Sequence, residues 1–434
     1  MITTAFVKIW GTLVGAVAWD EEQQVANFEF DPSFIEKDWD LSPIKMPIQS
    51  GARIYNFPEL RPGRDSAYDT FKGLPGLLAD MLPDKYGNQL INVWLAQQGR
   101  PVDSMNPVEK LCFIGSRGMG ALEFEPNQIK HKKNAYTLEV ETLVDISRQM
   151  LHKRESFNTD LSKNEKQAML DILKIGTSAG GARPKAVIAF NEKTGEVRSG
   201  QAKAPAGFEH WLIKLDGVSD AQFGSTLGYG RVEMAYYLMA KDCSIDMMEC
   251  KLLEENGRAH FMTKRYDRSG GHDRHHVQTW CAMNHYDFND MQSYSYEQLF
   301  QTMRALRLDY QEAEQMFRRM VFNVLARNCD DHTKNFSFRM KQDEDWTLTP
   351  AYDVCYAYDP KSIWVSQHAL SINGKRKNQT KEDFLSIAKS MNIKKAKTII
   401  QEIYEIVSCW RQYAEQVEVD PKKRKAIEGN FIKI

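Results

Sequence analysis

The sequence predicts an α+β fold with a small N-terminal α+β subdomain, a mixed sheet lobe and a mostly helical C-terminal lobe. Three observations lead to this prediction. The chain has 434 residues, more than one compact domain usually holds. Strand patterns are frequent up to about residue 266, whereas helical spacing of apolar residues dominates beyond it. We expect domains over 1–135, 136–267 and 268–434, with the polar, basic segment 127–134 as the first linker.

The N-terminal subdomain is predicted from two apolar runs of strand length, 5–10 and 12–19, with a tight turn at Gly11 between them. Apolar residues then recur with helical spacing at 77–82 and 86–95. A strand interrupted by glycines, 117–124, closes the unit. No catalytic cluster is predicted in it.

The rest of the chain begins with sheet and ends with helices. Helices are predicted at 137–152 and 161–174, followed by a strand from Ile175, a glycine-rich turn and a second strand up to Phe190. Further predicted strands are 209–215, 248–253 and 260–266, with a helix at 229–241 among them. The later helices are predicted at 296–307, 310–327, 381–391 and 394–415. Sheet first and helices later is the order of a two-lobed protein-kinase-like fold.

Composition indicates a soluble cytoplasmic protein without a membrane partner. Hydrophobic residues make up 42% and charged residues 26% of the chain, and the net charge is −1, so no global field draws it to nucleic acid or an anionic membrane. The seven cysteines form no C-x-x-C pair, which favours buried thiols in a reducing compartment over disulfides or zinc. The start lacks the pattern of a signal peptide.

The strongest chemical signal is a polar loop after an apolar helix, in which Asp330 and Asn335 are five residues apart. Asp353 follows eighteen residues later, after a short predicted strand. Phosphoryl transfer from ATP needs a carboxylate to accept the proton of the attacking hydroxyl and oxygen ligands for Mg²⁺. Any one of these residues could simply end a helix or form a turn, but together with His332 they favour a kinase catalytic loop and its metal-binding aspartate.

A glycine-rich segment and a strand lysine form the second signal. The segment 176–182 contains Ser178, Ala179, Gly180 and Gly181, and its backbone N–H groups could cover ATP phosphates, although such segments are commonly plain hairpins. Lys214 lies in an apolar strand, where it either points outward or pairs with the nucleotide phosphates. Glu233, in the next helix, is its candidate partner.

A third segment, 261–268, resembles a strand that leaves one lobe for the next. Its residues Lys264, Arg265 and Tyr266 are predicted to form a hinge whose backbone groups bind adenine; an edge strand with a charged end is the alternative. The histidines at 272, 275 and 276 are interpreted as part of a flexible loop rather than as metal ligands.

These motifs together resemble the HipA-family serine/threonine kinase toxins of bacterial toxin–antitoxin systems. The resemblance spans nearly the whole chain and rests on the following segments: 71–84, 118–124, the glycine loop, 210–214, 265–268, 330–337 and 349–353. It implies that Asp330 is the catalytic base, that Asn335 and Asp353 bind Mg²⁺, and that Lys214 and His332 contact the ATP phosphates. It also implies that Ser178 is an autophosphorylated regulatory serine.

The resemblance further implies three partners. These are a HipB-like helix-turn-helix antitoxin, operator DNA reached through the antitoxin complex, and a protein substrate such as an aminoacyl-tRNA synthetase. Two positions depart from the family pattern. Asp331 stands where a glycine is expected and is predicted to add a carboxylate close to the metal, and Arg183-Pro184 replaces an expected Gln-Glu. Alternatives are a small-molecule or lipid kinase, or a catalytically weak member that acts mainly as an antitoxin-bound co-repressor.

Overall fold

The computed structural model describes residues 2–48, 53–63, 69–128, 137–152, 173, 175–176, 183–200, 204–220, 224–225, 227–270 and 273–434. Two five-stranded sheets and one three-stranded sheet are combined with helices, which confirms the predicted α+β class. Most of the predicted linker lies outside the described residues. So do the glycine-loop positions 177–182, with Ser178, Ala179, Gly180 and Gly181, and most of the predicted helix 161–174.

The N-terminal sheet is antiparallel with strand order β4-β3-β2-β1-β5. The strands are β1 (Thr4–Ile9), β2 (Thr12–Asp20), β3 (Val25–Phe30), β4 (Ile54–Asn56) and β5 (Leu122–Glu125). The helices are α1 (Pro32–Ile35), α2 (Gly76–Ala79), α3 (Lys85–Gln97) and α4 (Pro107–Ile114). The predicted turn at Gly11 is confirmed: Trp10 and Gly11 both have positive φ, as a two-residue hairpin turn requires.

The second sheet is also antiparallel, with order β11-β12-β8-β6-β7. Its strands are β6 (Lys185–Phe190), β7 (Val197–Ser199), β8 (Glu209–Lys214), β11 (Cys250–Glu255) and β12 (Arg258–Lys264). A small ribbon pairs β9 (Ser219–Asp220) with β10 (Gly224–Ser225). Helices α5 (Val140–His152) and α6 (Tyr229–Asp242) belong to the same part of the chain.

The prediction of a strand that begins at Ile175 is wrong, because residues 173, 175 and 176 are helical. Leu173 and Ile175 are buried in an apolar core that joins α3 and α5 to the second sheet. Their burial is that of a helix packed against neighbouring elements, which an apolar run alone does not distinguish from a strand.

The C-terminal part is mainly helical, as predicted. Its strands are β13 (Arg268–Ser269), β14 (Asp273–Arg274), β15 (His276–Thr279), β16 (Ser337–Met340) and β17 (Thr347–Leu348). Its helices are α7 (Trp280–Asn284), α8 (Tyr296–Ala305), α9 (Tyr310–Leu325), α10 (Lys381–Ser390), α11 (Ala396–Ser408), α12 (Trp410–Gln416) and α13 (Pro421–Glu428). In the part of the chain that is described, no helix has the length and apolar character needed to span a bilayer.

Two predictions for this part are wrong. The single helix 394–415 is broken at Cys409 into α11 and α12, and the break buries Trp410 against Tyr236, with ring centroids 5.5 Å apart. The prediction of a flexible loop is wrong for His275 and His276, because both residues are buried. His276 Nε2 lies 2.9 Å from the carbonyl oxygen of Leu41, and burial lowers the pKa of His276 to about 4. His272 lies outside the described residues.

Candidate active site

The predicted catalytic loop follows α9, whose N-terminus is fixed by a capping box of Asp309 and Glu312. Beyond the helix the chain is tied down by a hydrogen bond from the Cys329 N–H to the carbonyl of Ala357, 3.0 Å long. The Asn335 side-chain amide then donates to the Asp330 carbonyl at 2.6 Å. This bond closes the loop through the main chain of Asp330 and does not involve its carboxylate.

The Asp330 side chain is half-exposed, with 49% of it accessible to solvent. Its surroundings raise its pKa, first because they remove water and then because the charges of Asp353 and Asp331 are near; His332 acts in the opposite direction. His332 Nε2 lies 3.8 Å from Asp330 Oδ1. The raised pKa has the direction that a proton acceptor needs.

Lys214 lies at the end of β8 and contacts two carboxylates. Its Nζ is 2.5 Å from Glu233 Oε1 and also binds Asp353 Oδ1. Burial would lower the pKa of Lys214, but Asp353 and Glu233 raise it well above its usual value. The structure thus brings together three residues that are separated by 19 and 139 positions in the chain, including Glu233, the predicted partner on α6.

Asp353 adopts a left-handed backbone conformation, with φ of 51°. Aspartate tolerates this region better than most residues, and such conformations are concentrated at functional sites. Burial would raise the pKa of Asp353, but Lys214 and Lys185 lower it, so the carboxylate is ionised. Asn335 and Asp353 line one pocket, which Asp331 and residues of the helical lobe such as Phe322 also line.

Asp331, predicted to add a carboxylate close to the metal, lines the same pocket as Asn335 and Asp353, but its carboxylate oxygens are engaged within the protein. It is buried and points into the helical lobe. Its Oδ1 accepts from the Ala369 N–H at 2.8 Å, and its Oδ2 is 2.9 Å from the Tyr296 hydroxyl and 3.0 Å from His368 Nδ1. Because both oxygens are engaged there, Asp331 anchors the catalytic loop to the helical lobe.

The ion pair of Asp331 and His368 is expected to make stability depend on pH. Burial would lower the pKa of His368, but Asp331 raises it to about 10. Since the unfolded value is about 6.5, the stabilisation is complete below about pH 6.5 and is lost as the pH rises through the folded value. We expect His368→Gln to lower the free energy of unfolding by about 3 kcal/mol at about pH 6, and by much less above about pH 10.

Denaturant unfolding of both proteins at several pH values measures this difference, and the subtraction removes other titrating groups that the two proteins share. A loss that stays constant from mildly acidic to strongly alkaline pH would contradict the assignment of a charged His368.

The predicted hinge residues are mostly occupied within the protein. The N–H groups of Lys264 and Arg265 donate to the carbonyls of Glu249 and His210, each at 2.9 Å, so neither is available to adenine. The Lys264 side chain pairs with Glu209. The Tyr266 ring stacks on Tyr352, with centroids 5.4 Å apart, close to the catalytic loop. Of the three, Tyr266 is the residue that remains a candidate for the nucleotide.

The charged residues beside the hinge form a buried cluster around Asp267. Asp267 is fully buried and accepts hydrogen bonds from Arg265 at 2.6 and 2.8 Å, from Arg268 at 2.7 Å and from the Gly120 N–H at 2.7 Å. Burial would raise the pKa of Asp267, but the two arginines hold it far below its usual range. The cluster joins the segment before β5 to the segment after β12, so it is a structural connection between the first sheet and the hinge.

No catalytic cluster was predicted in the N-terminal subdomain, yet its Asp84 contacts Lys185, the strand partner of Lys214. Asp84 Oδ2 accepts from Lys185 Nζ at 3.0 Å. A signal was available in hindsight: Asp84 precedes a helical run, as an N-cap does, and Lys185 begins an otherwise apolar strand. At the end of the glycine loop, the Arg183 guanidinium lies over the Tyr229 ring at 4.3 Å, and its charge acts on both Glu233 and Asp330.

Comparison with known proteins agrees with this architecture. Among solved structures, one similar in fold is "Shewanella oneidensis MR-1 Toxin Antitoxin System HipA, HipB and its operator DNA complex", with a TM-score of 0.66 and 14% identity over 98% of this chain and 94% of that chain. The Helicobacter pylori proinflammatory kinase CtkA overlaps 50% of this chain and 92% of its own at 12% identity, but its TM-score of 0.29 is too low to carry an argument.

No curated protein sequence is significantly similar to this chain. The family comparison, by contrast, covers most of it. Residues 5–125 match the family described as HipA N-terminal domain. Residues 177–410, more than half of the chain, match the family described as HipA-like C-terminal domain. The chain therefore belongs to the HipA family.

Proposed function

We propose that this chain is an ATP-dependent serine/threonine protein kinase and the toxin of a type II toxin–antitoxin pair. The observation that supports this best is the contact of Lys214 with both Glu233 and Asp353. A strand lysine that is held by a helix glutamate, close to a metal-binding aspartate, is the arrangement with which protein kinases bind the nucleotide phosphates. Membership of the HipA family agrees with this proposal.

In the proposed reaction the hydroxyl oxygen of a protein serine attacks the γ-phosphorus of ATP. The bond from that phosphorus to the β–γ bridging oxygen breaks, and ADP leaves. Asp330 orients the hydroxyl and accepts its proton; its half-exposed position lets a protein substrate approach it. Lys214 and His332 hold the phosphates, and Tyr266 lies near the nucleotide.

Asn335 and Asp353 fit Mg²⁺ because they offer an amide and a carboxylate oxygen, the hard donors that this ion prefers. Mg²⁺ is commonly held by only one or two protein ligands together with phosphate oxygens, so this small set suffices. Bound there, the ion would neutralise charge on the phosphates. The chain's own contribution is to keep Asp353 ionised and in place through Lys214.

The proposal includes regulation by Ser178, which lies outside the described residues. A phosphate adds about −1.5 to −2 charges. In a loop that covers ATP phosphates, it would repel them and switch the kinase off. The partners proposed are a HipB-like helix-turn-helix antitoxin, operator DNA through that antitoxin, and a cytoplasmic protein substrate such as an aminoacyl-tRNA synthetase. The fold shared with a HipA that assembles with HipB and operator DNA supports the first two.

Lys214→Met is expected to weaken Mg-ATP binding roughly 10- to 100-fold, the effect of losing one charge-assisted contact to phosphate. Titration calorimetry with Mg-ATP measures the affinity directly. Lys251→Met is the matched control, because Lys251 is a lysine of the same sheet that pairs with Glu192 and Glu249. Equal affinity of wild type and Lys214→Met would contradict the assigned site. Tight binding without turnover in the wild type would favour a co-repressor instead of a kinase.

A further inference from the structure

Asp84 connects the N-terminal subdomain to the lobe that carries Lys214. It is the N-cap of α3, and its two carboxylate oxygens have different partners. Oδ1 accepts from the Gly87 N–H at 2.7 Å, which satisfies an otherwise unpaired donor of the first helical turn. Oδ2 accepts from Lys185 Nζ at 3.0 Å, and the two side chains are only 12% and 3% exposed. This is a nearly dry ion pair between two parts of the chain that are 101 residues apart.

Lys185 lies beside Lys214 on one face of the second sheet. The two residues are direct partners in the antiparallel pair β6·β8. Side chains of such partners project to the same face and come close together. Asp353 binds Lys214, and the positive charge of Lys185 acts on the same carboxylate. Two lysines and Asp353 therefore share the part of the cleft in which nucleotide phosphates are proposed to bind.

Two adjacent lysines repel each other, and a long lysine side chain has many rotamers. Without a fixed anion of its own, Lys185 would be drawn to Asp353 and would compete with Lys214 for it. Asp84 prevents this, because it neutralises Lys185 from the side of α3. Asp84 is itself rigid, since its other oxygen is engaged in the helix cap.

Helix α3 also supports the start of the glycine loop. A Cβ added at Gly176 would lie 2.8 Å from Leu90 Cδ1 and 3.2 Å from Tyr86 Cε1, so the backbone there runs directly against α3. Tyr86 is in turn held by a hydrogen bond of 2.9 Å between its hydroxyl and that of Ser147 on α5. The same helix thus holds Lys185 and the residue that enters the loop.

We propose that Asp84 is a positioning residue for the nucleotide: it fixes Lys185 in the phosphate cleft, and through α3 it makes the N-terminal subdomain part of the catalytic unit. This inference rests on the proposed function. Asp84 touches neither the nucleotide nor the acceptor, and acts through Lys185.

A double-mutant cycle on Mg-ATP affinity, measured by calorimetry on the full chain, tests this. Asp84→Asn removes the charge but keeps a good N-cap residue. We expect Asp84→Asn to weaken Mg-ATP binding roughly tenfold and Lys185→Met roughly 10- to 100-fold. Because Asp84 acts only through Lys185, the double variant should bind no more weakly than Lys185→Met alone.

Wild-type affinity in Asp84→Asn, or losses that add up in the double variant, would overturn the inference. A purely structural role would lower the thermal midpoint without changing affinity in the folded protein, and would overturn it as well. If Asp84→Asn fails to fold, Asp84→Ser also removes the charge and keeps a good N-cap residue, and it should show the same roughly tenfold loss; wild-type affinity in Asp84→Ser would refute the inference. A wild type that binds Mg-ATP but transfers no phosphoryl group would contradict the proposed function and not this inference. The double-mutant cycle would still be interpretable, because it measures only Mg-ATP affinity.

Discussion

Replacing Asp330 by Asn is expected to lower the rate of phosphoryl transfer by a factor of about 10²–10⁴, the usual contribution of a positioned base. Mg-ATP affinity should change by less than about threefold, because the lost interaction is made mainly in the transition state. The loop itself should persist, since Asn335 bonds to the Asp330 carbonyl and not to its carboxylate. Single-turnover kinetics with an acceptor protein, together with calorimetry of Mg-ATP binding, separate the two effects.

Asp345→Asn is a suitable control for this experiment, because Asp345 is an exposed aspartate fifteen positions further along the chain. It should leave both the rate and the affinity unchanged. If Asp330→Asn turned over like the wild type, another group would have to be the base, and the assignment of the loop would be wrong.

Replacing Asp267 by Asn is expected to lower the free energy of unfolding by about 3–5 kcal/mol, the cost of breaking a buried ion pair. The variant leaves Arg265 and Arg268 buried without their counter-charge, whereas the amide can replace only part of the hydrogen bonding. Guanidinium unfolding of both proteins measures the loss. Because the cluster joins Gly120 to the hinge, the first sheet and the second should lose stability together.

Glu123→Gln provides the comparison within the same region. Glu123 pairs with Arg274 but is 40% exposed, so solvent screens the interaction and a loss of about 0–1 kcal/mol is expected. Similar losses for the two variants would contradict the view that the burial of Asp267, rather than its charge alone, makes the cluster strong.

The candidate site residues predicted from the sequence are those with a recognisable order and spacing along the chain. Asp330, Asn335 and Asp353 follow one another at fixed spacing, and Lys214 stands out in an apolar strand. Glu233 could be predicted because the helix after that strand offers few other partners. The structure brings Lys214 together with Glu233 and Asp353, and brings Asn335 and Asp353 to one cavity.

What could not be predicted depends on the direction of individual side chains. Asp331 is adjacent to the proposed base, yet it turns into the helical lobe because Tyr296 and His368 supply its partners there. Nothing local in the sequence distinguishes that direction from the opposite one. The sequence offers no matching ligand run for His276 and therefore favours a loop, but His276 is buried beside the carbonyl of Leu41, 235 positions away.

Asp84 and Lys185 illustrate the same limit over a longer distance. Each looks ordinary by itself, an N-cap and a charged strand end, and only the packing of α3 against the second sheet brings them together. The break at Cys409 likewise has no glycine or proline to announce it, and it accompanies the burial of Trp410 against Tyr236. Long-range packing therefore decides these features.

The central claim, that this chain transfers the γ-phosphoryl group of ATP to protein serine, is tested most directly with ATP labelled in its γ-phosphate. The purified chain is incubated with labelled Mg-ATP and a cell extract, and the labelled residues are identified. We predict labelled serine with the wild type and none above background with Asp330→Asn or Lys214→Met. A wild type that binds Mg-ATP but labels neither itself nor any protein of the extract would contradict the claim.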